Sequence, residues 1–192
     1  VEKNNIALNK KNNIVVNKDD IITTHYYDIK IEQYIIPSDD PATALFGGAI
    51  NIINDNNILT ALNNGELLTF NLIDKTFSKI NANIKDNYFS IRDIEISYKD
   101  NHLLLLAMKE KNDCVSLVFD KYEYQFDNKM FEINNRQNIW SSELVCGIPD
   151  LQANSGGRII IKDDHYFIST GTMGAGNSGI VKNNQSKNSS FG

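Results

Sequence analysis

The sequence predicts an all-β chain built from small repeated sheets, and three observations carry that prediction. First, one segment occurs twice. Residues 47–65 and 156–174 align without a gap, matching at Gly47/Gly156, Gly48/Gly157, Ile50/Ile159, Ile52/Ile161, Asp55/Asp164 and Gly65/Gly174, with Thr60/Ser169 a near match. Each copy reads as strand, polar turn, strand, glycine turn, the pattern of a propeller blade or of another β array. Second, β-branched and aromatic runs recur about every 8–12 residues with turn residues between them. Third, no stretch has the apolar period of an amphipathic helix.

The elements follow in order. Apolar runs at 14–16, 21–22 and 26–31 are separated by Asn12-Asn13 and Lys18-Asp19-Asp20, residues that favour turns. Alternation from Ile29 to Tyr34 has the strand period of two. Pro37 and Pro41 make the next segment a loop, because neither can donate to a ladder. The first repeat copy comes next, and its Asn63-Asn64-Gly65 is a hairpin signal, since Asn and Gly tolerate positive φ. Residues 66–72 form the following strand. Residues 91–96 read as a strictly alternating strand, and Lys99-Asp100-Asn101 turns the chain into the apolar run 103–108. Further strands are expected at 115–119, 122–126 and 130–133, before the second repeat copy. From Gly171 the chain is rich in Gly, Ser and Asn and reads as a long loop.

Composition bounds the function classes. Hydrophobic residues make up 41% of the 192, enough to bury a core and to argue against wholesale disorder. The net charge of −5 comes without a Lys/Arg stripe, which points away from nucleic acid. No run approaches the roughly 20 apolar residues of a membrane span. No signal peptide is visible, and the chain opens on Val1, as a processed or excised piece would. Cys114 and Cys146 have no metal-ligand spacing. They read as two buried thiols, or as a disulfide if the protein is exported.

Few motifs carry chemistry on their own. Residues 174–179 satisfy G-x-G-x-x-G, but a dinucleotide site needs a helix to open there, and the following sequence is a poor helix former. A flexible glycine loop is the better reading. His25, His102 and His165 are scattered, each beside an expected turn or strand end. The pairs Asp19-Asp20, Asp39-Asp40 and Asp163-Asp164 suit solvated turns and lack an EF-hand spacing. Arg158 stands out. It follows two glycines on a strand, where a guanidinium needs either a structural partner or an anionic ligand.

One resemblance adds to this reading. The run Asn154-Ser155-Gly156-Gly157-Arg158-Ile159, then the turn at Lys162-Asp163-Asp164, then Phe167-Ile168-Ser169-Thr170-Gly171-Thr172, resembles the pyrroloquinoline-quinone-dependent sugar dehydrogenase family, also called the glucose/sorbosone dehydrogenase family. That family shows His-x-Gly-Gly-Arg-Leu, a strand, a polar turn, and a strand ending in a Thr-Gly-Asp loop. Residues 90–96 resemble the family's Gly-Leu-Leu-Gly-Leu-Ala strand, residues 45–70 its first blade, and residues 185–192 the stretch leading into Gly-Lys-Ile-Leu-Arg. The likeness spans roughly residues 45–192.

The resemblance implies a six-bladed propeller, of which this chain would hold about three blades: an N-terminal β segment at 1–40 and an incomplete propeller at 41–192. The chain is therefore expected to be an excerpt of a longer protein. The resemblance also implies a quinone cofactor (PQQ), calcium, oxidation of an aldose at C1, and a periplasmic or exported location. The family's catalytic His falls on Asn154, whose amide cannot accept a proton from a sugar hydroxyl at neutral pH. The Gln that touches the quinone falls on Tyr88, and the Asp of the Thr-Gly-Asp loop on Thr172. Arg158 and Asn154 would line the site. Two functions stay open. One is a sugar dehydrogenase. The other is a non-catalytic propeller of the same descent that binds a glycan or a protein.

Overall fold

The computed structural model describes residues 20–23, 26, 28–38, 48–80, 84, 88, 90–127, 130–146 and 156–171. Among them are thirteen strands and no helix, so the chain is all-β. Four antiparallel sheets follow one another. The first is a hairpin, β1 (Asp20–Thr23) with β2 (Asp28–Ile31). The second is a four-stranded meander of β3 (Gly48–Asn54), β4 (Asn57–Leu62), β5 (Leu67–Asn71) and β6 (Thr76–Lys79).

The third is a meander of β7 (Ser90–Ser97), β8 (His102–Lys111), β9 (Cys114–Asp127) and β10 (Met130–Ser141). A short β11 (Val145–Cys146) returns alongside the start of β9. The fourth is the hairpin of β12 (Gly157–Lys162) and β13 (His165–Thr170). The run at 14–16, the glycine loop at 174–179, and His25 lie outside the described residues.

Local chemistry sets the turns. Asn112 and Asp113 join β8 to β9 with φ of 52° and 57°, and Asp163 and Asp164 join β12 to β13 with φ of 49° and 60°. A type I′ two-residue hairpin has positive φ at both positions, which Asn and Asp tolerate best among residues with a Cβ. Between β4 and β5, Gly65 takes φ 89°, and the Asn64 side chain accepts the Glu66 N–H at 3.1 Å.

The sheets stack face to face. The apolar run 103–108 on β8 is buried on both sides. Leu103, Leu105 and Ala107 meet Ala49, Leu59 and Ala61 of the β3–β6 sheet in one core. Leu104, Leu106 and Met108 meet Ile159 of β12 in another, with Ile161 and Ile168 at its margin. A continuous apolar strand is what burial on both faces requires. The first strands of three sheets lie side by side, with β7 between β3 and β12.

Four expectations are corrected. Residues 91–96 do not alternate strictly. The register shifts between Ile91 and Asp93, so Arg92 is the extra residue of a bulge. The strands expected at 115–119 and 122–126 are one strand, β9, because Asp120 and Lys121 stay in the ladder opposite Leu105 and Leu104. Cys114 and Cys146 are not free thiols but a disulfide, since β11 brings Cys146 directly opposite Cys114.

The two repeat copies also differ by one residue past the turn. Gly48, Ile50 and Ile52 pair with Leu62, Thr60 and Ile58, and Gly157, Ile159 and Ile161 pair with Thr170, Ile168 and Tyr166. A register shift between Ile52 and Asn54 in the first copy is missing from the second. Thr60 therefore corresponds to Ile168 rather than to Ser169.

Candidate functional site

The beginnings of β3, β7 and β12 and the end of β13 enclose an open cleft of about 400 Å³. Its walls are Gly48, Ile91 and Arg92, the Gly156-Gly157-Arg158 run, and the Ser169-Thr170-Gly171 run. Glycine is demanded where these strands close up. A Cβ on Gly48 would sit 2.4 Å from the Ala61 carbonyl oxygen, and one on Gly157 would sit 2.4 Å from Leu106 Cδ2. The Gly171 N–H donates to the Gly156 carbonyl at 2.6 Å, tying the two ends of the hairpin together at the cleft.

Two arginines line the cleft. The bulge in β7 brings Arg92 to the wall, half-buried, with Nη2 donating to the Met108 thioether at 3.1 Å. A thioether is a weak acceptor. Burial pulls the Arg92 pKa below its ordinary value. Arg158 comes from β12, and its side chain is 72% exposed. Its Nη1 donates to Asp93 Oδ1 at 3.2 Å, while Asp93 Oδ2 accepts the Ile159 N–H at 2.7 Å. Asp93 is itself buried. One carboxylate thus clamps β12 to β7 and holds Arg158 at the rim. The Arg158 N–H donates to Ser169 Oγ at 3.1 Å.

The residues expected at a site are placed as follows. Arg158 lines the cleft. Tyr88 does not. It is buried on the other face of β7–β10, where its hydroxyl donates to the Asp120 carboxylate and lies 2.6 Å from the Tyr122 hydroxyl. Asp120 also takes Arg136 Nε at 2.9 Å and Asn138 Nδ2 at 2.7 Å. The Lys109 ammonium and the Arg136 guanidinium lie 5.5 and 5.6 Å from the Tyr88 ring centre, within cation–π range. Burial, then the bonds to Asp120 and Tyr122, push the Tyr88 pKa upward. Asn154 and Thr172 lie outside the described residues.

Sequence reasoning missed Arg92 and Asp93. The signal was present. Two charged residues in succession inside an apolar strand cannot both face solvent in a regular ladder, and a bulge lets the pair turn differently.

The cofactors implied by the resemblance meet this geometry unequally. Guanidinium groups suit the carboxylates of a quinone such as PQQ. For calcium, no three His, Cys, Asp or Glu side chains converge among the described residues. No helix among them is long and apolar enough to cross a membrane. No protein-family model matches this chain, and no curated protein matches it either.

Proposed function

We propose that the chain forms part of a β-propeller, and that this propeller is a non-catalytic module binding a sugar or glycan, of the same descent as the quinone-dependent sugar dehydrogenases. The propeller is supported by the equivalence of faces. The face of β12–β13 that carries Ile159 packs on the β7–β10 sheet. The corresponding face of β3–β4 leaves Ile50 and Ile52 at 64% and 61% exposed, and the far face of β12–β13 leaves Ile160 and Phe167 at 60% and 55%. Such faces fit further sheets in the same ring.

The observation that carries the binding role is the cleft where the innermost strands converge. Its described walls bring together Arg92, Arg158, Ser169, Thr170 and glycine backbone. That set can bind and orient a polar ligand. Among the described walls there is no His, Asp, Glu or Tyr to accept a proton from a sugar hydroxyl. The dehydrogenase reading keeps one supporting observation, the position of Gly156, Gly157 and Arg158 in the cleft wall. A bound quinone would supply hydride acceptance, and Arg92 and Arg158 would hold its carboxylates. The disulfide between Cys114 and Cys146 supports an exported or periplasmic location, since such bonds persist in oxidising compartments.

Calorimetry with an aldose panel tests the function, run with calcium and PQQ and alongside reduction of an artificial electron acceptor. Saturable sugar binding without dye reduction is the expected result. Sugar-dependent dye reduction with the quinone would overturn the non-catalytic reading in favour of the enzyme.

A further inference from the structure

Most lysines whose surroundings are defined sit beside a carboxylate. Lys30 and Lys75 pair with Glu32, Lys79 with Glu66, and Lys99 with Asp164. Lys109 sits beside a second cation instead. It is half-buried near the end of β8, with Nζ 5.5 Å from the centre of the Tyr88 ring. The Arg136 guanidinium of β10 lies 5.6 Å from the same ring centre. The nearby carboxylate is Asp120 of β9, which is fully buried and already engaged. Its Oδ2 accepts Arg136 Nε at 2.9 Å, Arg136 Nη2 at 2.8 Å and the Tyr88 hydroxyl, and its Oδ1 accepts Asn138 Nδ2 at 2.7 Å. Asp120 therefore answers Arg136, and among the described residues no carboxylate pairs with Lys109. The Tyr88 and Tyr122 hydroxyls lie 2.6 Å apart, and burial keeps both phenols neutral, so neither supplies a negative charge.

An ammonium that loses water and faces a guanidinium gives up its proton more readily, and the neutral amine is a nucleophile. Burial first, then the Arg136 charge, hold the Lys109 pKa below its ordinary value against a smaller pull from Asp120. Carboxylate partners act the other way on Lys75 and Lys99, whose pKa values lie above the ordinary one. We propose that Lys109, set between the Tyr88 ring and Arg136 with no carboxylate of its own, is a reactive amine and a modification site for small aldehydes. The step needs no further reagent. The neutral Nζ adds its lone pair to the carbonyl carbon as the C=O π pair moves to oxygen. Both amine hydrogens then leave with that oxygen as water, and a C=N bond remains. The site lies on the face of β7–β10 that carries Tyr88, and it does not rest on ligand binding in the cleft.

The test is limited reductive alkylation of the folded whole chain with acetaldehyde and cyanoborohydride near neutral pH, read lysine by lysine by mass spectrometry. Accessibility alone would make Lys99, with its side chain 71% exposed, faster than the half-buried Lys109. The charge arrangement predicts the reverse. Lys109 should react about 5-fold or more faster than Lys99 and Lys75, since one pKa unit is about tenfold in the neutral amine. Its rate should level off at a lower pH than theirs, and in the urea-unfolded chain the three rates should converge. Arg136→Gln removes the neighbouring cation and leaves Asp120 to draw on Lys109. It should slow Lys109 by about 3-fold or more while Lys99 is unchanged. Asp120→Asn removes the opposing charge and should leave Lys109 at least as fast as in the parent. Circular dichroism like that of the parent identifies the folded variants. Modification of Lys109 no faster than that of Lys99 in the folded parent would overturn the proposal, whatever the variants do. An unchanged Lys109 rate in folded Arg136→Gln would overturn the charge arrangement on which it stands.

Discussion

The Asp93 carboxylate accepts a backbone N–H from Ile159 and a guanidinium N–H from Arg158, both from a neighbouring sheet. Asp93→Ala would leave the Ile159 N–H buried without an acceptor and release Arg158. We expect a loss of about 1–3 kcal/mol in urea unfolding, together with weakened ligand binding. Tyr88→Phe separates two roles. Its hydroxyl serves a buried carboxylate rather than the cleft, so the variant should lose about 1–2 kcal/mol of stability and bind ligand like the parent. A Tyr88→Phe chain of normal stability and poor binding would return Tyr88 to the site, where the family resemblance put it. Half of the arginine pair was legible in advance. Arg158 stood out because two glycines precede it, whereas Arg92 was hidden by a bulge whose only trace was a charged dipeptide in an apolar strand.

At the level of the element, β-strand spacing, turn chemistry and the internal repeat were readable from residue types. The facts that were not readable all depend on pairing between distant segments: the disulfide, the one-residue slip between the repeats, and the fusion of two expected strands into β9. The disulfide closes the β9–β11 segment across a separation of 32 residues. Replacing both cysteines by serine should cost about 4 kcal/mol, measured by denaturant unfolding, if it constrains the unfolded chain as loop entropy implies. The contact between β3 and β7 carries a pH dependence. Asn51 Nδ2 donates to Glu95 Oε2 at 2.7 Å and to the Ile94 carbonyl at 3.2 Å. Burial, only partly offset by the Asn51 bond, raises the Glu95 pKa above its ordinary value. The ionised form is therefore disfavoured in the folded state. Its penalty is absent below the unfolded pKa of about 4.3, grows as pH rises through the raised folded value, and is constant above it. Glu95→Gln keeps an acceptor for Asn51, so it should stabilise the fold at pH 7 by about 0.5 kcal/mol after allowance for solvent screening, and by nothing at pH 3.5. Equal effects at the two pH values would contradict this assignment.

Across the whole molecule, antiparallel sheets stack through their faces, and their first strands share one end at which glycines allow close approach and arginines gather. The stack explains why β8 is apolar on both faces, and why truncating Leu105, in the core shared by two sheets, to Ala should cost about 2–5 kcal/mol. The same stack sets the cleft, proposed above as the ligand site, at the end where the first strands meet rather than on any one sheet. The most direct test of that claim is a residue-by-residue map of amide chemical shifts in the ¹⁵N-labelled chain as an aldose such as D-glucose is added. The account predicts saturable shifts confined to Gly48, Ile91, Arg92, Gly156, Gly157, Arg158, Ser169, Thr170 and Gly171, with the amides around Tyr88 and Asp120 unmoved. Shifts centred on any other surface, or none at saturating ligand, would contradict it.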